Sequence, residues 1–192
     1  VLNELRPGIV LTELALAGEL RASQGAVREA LLRLEGEGLV MRSGHQGTTV
    51  TDLGPMEAAE MLRLRRQIEG RAAPSAASRL TRGDEAALES LLDGMERSAA
   101  AGSQWDMIVA DTEFHMTLFR AAGLAAMEPI LSRCILHTHR SRLWAPWHDR
   151  PLQQTAERHA GILEAARARD GRKLRRALEQ HIDTIVDRSN LQ

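Results

Sequence analysis

Beyond residue 52, apolar residues recur at the 3.6-residue period of an α-helix in six stretches: 55–79, 82–101, 104–122, 125–144, 152–169 and 171–189. Pro74 falls inside the first and is expected to kink or split it. Thr81 and Asp170 suit the caps of the helices that follow them, and APWHDRP (145–151) reads as a loop. The first fifty residues are patterned differently. TELALAGEL behind Thr12 and QGAVREALLRLEGE behind Ser23 predict two short helices. Leu16, Leu20, Val27, Leu31 and Leu34 would supply their apolar contacts, with Gly36 or Gly38 as the stop. LVMRS and TTVTDL, separated by a glycine-containing turn, predict a small hairpin. Helix, tight turn, helix, hairpin is the order of a winged helix-turn-helix. TDLGPMEAAEM (51–61) reads as a linker, with Gly54 and Pro55 marking a helix start. The predicted fold is mainly α: an N-terminal winged helix-turn-helix over 1–52, then a C-terminal antiparallel all-helical bundle of about six helices over 53–192.

The apolar stripes carry polar residues where none is expected. In WDMIVADTEFHMTLFRAA one stripe holds Ile108, Asp111, His115, Leu118 and Ala122. Burying a carboxylate or an imidazole without a partner costs several kcal/mol. His159 shares a stripe with Ile162, Leu163 and Ala166, and His181 with Leu174, Leu178 and Ile185. Three helices thus offer one carboxylate and three imidazoles to one interior. Imidazole nitrogen with carboxylate oxygen suits a divalent zinc, nickel, manganese or iron ion. The plainer alternative is a buried Asp111–His115 pair beside isolated core histidines; four inward groups together favour the metal. Arg65, on the stripe of Met61, Ile68 and Ala72, needs an anion. An internal glutamate or a bound carboxylate ligand would serve. His137 and Ser141 follow Ile130 and Cys134 on the fourth bundle helix and join Arg65 as candidate ligand-binding residues. His139 and His148 fall off the stripes or in the loop and receive no role.

Composition narrows this picture in a few respects. Aromatics are 3% of the 192 residues, so aliphatic side chains must build the core. A net charge of -1 names no partner. The single cysteine, Cys134, excludes an internal disulfide and suits a reducing cytoplasm. No apolar run approaches the ~20 residues of a membrane span, and no signal peptide is visible. The chain begins at Val1 rather than Met, so the native N-terminus is expected to lie upstream.

LTELALAGEL (11–20) and SQGAVREALLRLEGEGLV (23–40), with a wing closed by Gly47 and Val50, resemble the winged helix of the GntR family of transcription regulators. LRRQIEGRAA (64–73), DTEFHMTLFRAAG (111–123) and ERHAGILEAARARDGRKLRRALEQH (157–181) resemble the FCD domain of its FadR subfamily, in the shorter VanR-like group. The resemblance implies a homodimeric, ligand-responsive regulator, usually a repressor, on palindromic double-stranded operator DNA, and not an enzyme. It implies a divalent metal on Asp111, His115, His159 and His181, and a small organic acid bound against that metal and nearby arginines such as Arg65. On the DNA side, the amides and hydroxyl at Ser23 face a phosphate, Arg28 reaches a guanine edge or phosphate, and the wing from His45 to Thr48 lies along the minor groove or the backbone. Gln24, Gly25 and Gly47 complete the candidate DNA-binding set. Gln24 stands where arginine is usual, Gly25-Ala26 where Thr-Pro is usual, Arg21 where glycine is common, and Leu124 where an asparagine cap is frequent. Residues 1–52 hold five arginines against seven acids, a net -2. Two rival readings are a metal-dependent hydrolase and an adaptor protein built around a structural metal.

Overall fold

The computed structural model describes residues 2, 4–43, 47–144 and 151–185, the side chain of Trp144 excepted. The wing contact expected at His45, the loop at 145–150 with His148, and the end of the last helix beyond 185 lie outside the described residues. The chain divides into two compact units, residues 3–54 and residues 55–192 with 1–2.

In the first unit, α1 (Glu13–Leu20) starts where the Thr12 hydroxyl accepts from the Ala15 amide, and α2 (Gln24–Gly36) where Ser23 accepts from Ala26. These local bonds satisfy amides that a helix start leaves open. Arg21 ends α1 in the left-handed region, φ 52°, which is why a glycine suits that position. The predicted hairpin is β2 (Val40–Arg42) with β3 (Thr48–Val50), antiparallel. A further strand, β1 (Val10–Leu11), pairs on the other edge of β3, giving the order β1-β3-β2. Leu11, Val27, Leu31, Val40 and Val50 form the small core, with Leu16 packed against it. Leu20 and Leu34 do not join it: they are 65% and 37% exposed, because two helices and a three-stranded sheet bury only one narrow stripe of each helix.

The second unit holds α3 (Pro55–Arg79), α4 (Arg82–Ala101), α5 (Gln104–Ala121), a 3-10 turn at Ala125–Met127, α6 (Glu128–Trp144), α7 (Leu152–Arg167) and α8 (Gly171–Asp183). Thr81 and Asp84 close a reciprocal capping box on α4, and Asp170 caps α8 through the amides of Arg172 and Lys173. Leu124, at the start of the 3-10 turn, makes no side-chain cap bond. Pro74 does not split α3, which is continuous from Pro55 to Arg79.

Buried alanines set the spacing. Ala72, Ala73, Ala76 and Ala77 of α3 are each at most 3% exposed, so neighbours approach the α3 backbone closely. At Gly171 a Cβ would meet Pro74 Cα at 2.6 Å, so only glycine fits at the start of α8. Phe114, Phe119, Leu88, Met95, Leu131 and Leu174 fill the interior between the helices.

Candidate metal and ligand site

The bundle's polar interior is built from five helices. α5 contributes Asp111 and His115 one turn apart, α7 His159, and α8 His181; all four are at most 6% exposed. One ligand atom from each lies within 4.8 Å of every other. The rings are packed against one another, with His159 and His181 centroids 4.4 Å apart and Phe114 edge-on to His159 at 5.1 Å.

The outer nitrogens fix which atoms face inward. His115 Nδ1 is 2.5 Å from Glu69 Oε2, and His159 Nδ1 is 2.8 Å from the Thr155 carbonyl. Both contacts call for an N–H at Nδ1, which leaves each Nε2 with a lone pair. His115 Nε2, His159 Nε2, His181 Nδ1 and Asp111 Oδ2 are all buried and have no hydrogen-bond partner among the described residues. His159 Nε2 stands 3.1 Å from Asp111 Oδ1, close but not aligned as a hydrogen bond. Three orphaned imidazole nitrogens converging beside a buried carboxylate fit a divalent cation, because an internal hydrogen-bond network would have paired them. Their electrostatics agree. Burial pushes the His181 imidazole well down, and the neighbouring His159 and His115 add to this. Burial also lowers His115, against the pull of Glu69. Burial opposes ionisation of Asp111, but His139 and His159 outweigh it and hold the carboxyl well below its usual range. Neutral imidazoles and an ionised carboxylate are the ligating forms.

Arg65 is fully buried on α3, and its Nε donates to Glu69 Oε1 at 2.7 Å, one turn along the same helix. The internal glutamate therefore exists. It engages one edge of the guanidinium, while Nη1 and Nη2 remain buried without a partner. Glu69 bridges Arg65 to His115. Burial works against its charge, yet His115 and Arg65 beside it prevail and bring its carboxyl down to about 2.

A small cavity lies beside the cluster. Its lining includes Arg65, Asp111, His139, Arg142, Arg158 and His181. Arg142 Nη2 donates to Thr155 Oγ1 at 3.1 Å, and Arg158 Nη2 donates to the His181 carbonyl. His137 is buried and Ser141 half-buried, but neither lines this cavity. His139, two residues along α6, does, and its Nε2 is 3.1 Å from Asp111 Oδ2.

The FCD domain family matches residues 60–184, and "Bacterial regulatory proteins, gntR family" matches residues 1–50. The chain belongs to the GntR family of bacterial transcription regulators and carries an FCD domain. This GntR-family regulator is 30% identical over 186 residues to the Nta operon transcriptional regulator of Aminobacter aminovorans, covering 95% of this chain and 87% of that one. It is also 30% identical to a probable D-xylose utilization operon transcriptional repressor of Paenarthrobacter nicotinovorans, covering 91% and 76%. Among solved structures, Escherichia coli McbR/YncC has the same fold, with a TM-score of 0.82 at 24% identity, covering 95% of this chain and 87% of that one.

In the regulator's winged unit, Ser23, Gln24, Gly25 and Arg28 are exposed at the start of α2. The Ser23 hydroxyl is occupied by its cap bond, and Arg28 is held by Glu13 through its Nε at 3.0 Å and Nη2 at 2.8 Å. Gly47 adopts φ 87°, and a Cβ there would lie 3.2 Å from the Leu11 carbonyl, so the wing turn needs glycine. No helix among the described residues is long and apolar enough to cross a membrane.

Proposed function

We propose that this regulator is a metal-dependent, ligand-responsive repressor whose helical unit senses a small organic acid. The observation that carries this reading is the convergence of His115 Nε2, His159 Nε2, His181 Nδ1 and Asp111 beside a cavity into which a fully buried arginine brings two unpartnered nitrogens. The four donors would hold a divalent zinc, nickel, manganese or iron ion. That ion, when bound, supplies positive charge and an exchangeable position for an acid's oxygen. Arg65 would take a carboxylate through Nη1 and Nη2, the paired geometry that guanidinium groups favour.

The winged unit would read palindromic operator DNA as part of a homodimer, with half-sites about 34 Å apart. The acid would act by favouring a dimer geometry in which that spacing is lost. This requires different acid affinities in the DNA-bound and released forms. The relatives, an operon regulator and a probable repressor of a D-xylose utilization operon, support a repressor of an operon.

The test combines metal analysis with a gel shift on the chain's own upstream intergenic DNA. Protein purified without an affinity tag should carry about one divalent ion per chain. A matching carboxylic acid should release the DNA from metal-loaded protein and not from His159→Ala. Absence of metal, with His159→Ala as acid-responsive as the wild type, would overturn the proposal.

A further inference from the structure

His139 belongs to none of the apolar stripes that make the donor cluster, yet it is 7% exposed and points at the cluster's carboxylate. Its Nε2 lies 3.1 Å from Asp111 Oδ2, while Asp111 Oδ1 lies 3.1 Å from His159 Nε2. Each oxygen therefore faces a different imidazole. The contact is close but not aligned as a hydrogen bond, and neither His139 Nε2 nor Asp111 Oδ2 has a hydrogen-bond partner among the described residues. His139 is also absent from the four residues whose ligand atoms come within 4.8 Å of one another. It stands outside the cluster, on the cavity wall it shares with Arg65.

We propose that His139 is a positioning residue that holds Oδ2 of Asp111 and turns Oδ1 toward the three imidazoles. A carboxylate free to rotate presents either oxygen or both. A donor fixed on the outer oxygen removes that freedom, as hydrogen bonds behind metal ligands generally do. Because the same imidazole faces the cavity, the seat of the acid and the orientation of Asp111 share one side chain. This inference rests on the metal reading above and adds to it the residue that aims the only carboxylate in the set.

The experiment measures zinc affinity of the full chain by competition with a chromophoric chelator, and records cobalt absorption bands at saturation. His139→Leu should bind zinc about 10–100-fold more weakly, while His139→Gln, whose amide still donates to Oδ2, should stay within about threefold of the wild type. The saturated cobalt bands should be unchanged in both. If His139→Leu fails to fold by circular dichroism, His139→Asn, too short to reach Asp111, replaces it with the same expectation. Wild-type affinity in the leucine or asparagine variant, or an equal loss in the glutamine variant, overturns the positioning role and leaves the metal reading standing. Shifted cobalt bands would make His139 a ligand and also overturn it. Wild-type protein that binds neither ion would remove both.

Discussion

Replacing Glu69 by glutamine changes one atom in a buried chain of three residues. Glu69 Oε1 accepts from Arg65 Nε at 2.7 Å and Oε2 faces His115 Nδ1 at 2.5 Å, and both partners are fully buried. A glutamine has one oxygen and one amide nitrogen for these places. The guanidinium can only donate, so the oxygen must face Arg65. The amide then faces His115 Nδ1, which must give up its proton and accept. The proton moves to Nε2, into the space shared with Asp111, His159 and His181. Stability follows from the carboxyl's shift from an ordinary 4.5 to about 2. At 1.36 kcal/mol per unit, that shift is worth about 3 kcal/mol at neutral pH, in line with the roughly 3–5 kcal/mol seen when one partner of a buried ion pair is removed. With a urea m-value of roughly 2 kcal/mol per molar, the metal-free midpoint should fall by about 1.5 M. Zinc affinity should fall about 10–100-fold, since removing the partner of a ligating histidine has that effect. A Glu69→Gln protein within 1 kcal/mol of wild-type stability, or one that binds zinc normally, would refute both the bridging role of Glu69 and the tautomer assigned to His115.

Other expectations follow from the same contacts. Because the folded carboxyl of Glu69 is depressed, its contribution is complete above pH 4.5 and is lost as pH falls toward 2; urea midpoints of the metal-free protein should drop across that window, less steeply in Glu69→Gln, where Asp111 and other carboxyls such as Asp84 and Asp170 still act in the same direction. Arg28→Ala should weaken operator binding in a gel shift by a factor of roughly ten or more, the cost of losing a base-edge contact; unchanged retardation would place Arg28 solely in its ion pair with Glu13. Arg21 pays for a left-handed backbone at φ 52°, so Arg21→Gly should stabilise α1 by about 1 kcal/mol, read as slower hydrogen exchange of its amides; faster exchange would count against it.

The bundle helices were legible because each carries its own stripe and stops at its own punctuation. Thr81, Asp170 and Gly38 act on atoms within four residues of themselves, so their roles need no tertiary knowledge. Asp111, His115, His159 and His181 could be singled out because an inward polar group is anomalous on any helix. Which of them meet depends on how helices cross, and that is where reading from one chain stops. Glu69 shares Arg65's buried face and could have been found as its i+4 partner; its reach to His115, 46 residues away, could not. His139 lies off the stripe of Cys134 and Ile130, and only the approach of α6 to α5 brings it to Asp111. In the winged unit, β1 is two residues long and exists because β3 offers it an edge, so no periodicity could announce it.

The four donors sit at positions 111, 115, 159 and 181 in a chain whose single cysteine allows no internal disulfide. An ion held by them would tie α5, α7 and α8 together across long intervening segments, restricting the unfolded chain as a covalent staple does. Unlike a sulfur bridge, this cross-link could be withdrawn by a chelator or by scarcity of the metal in the cell, without any change of redox state. The helical unit would then be tightened or loosened by metal supply itself, so that a sensor starved of its ion is also a protein more exposed to proteolysis.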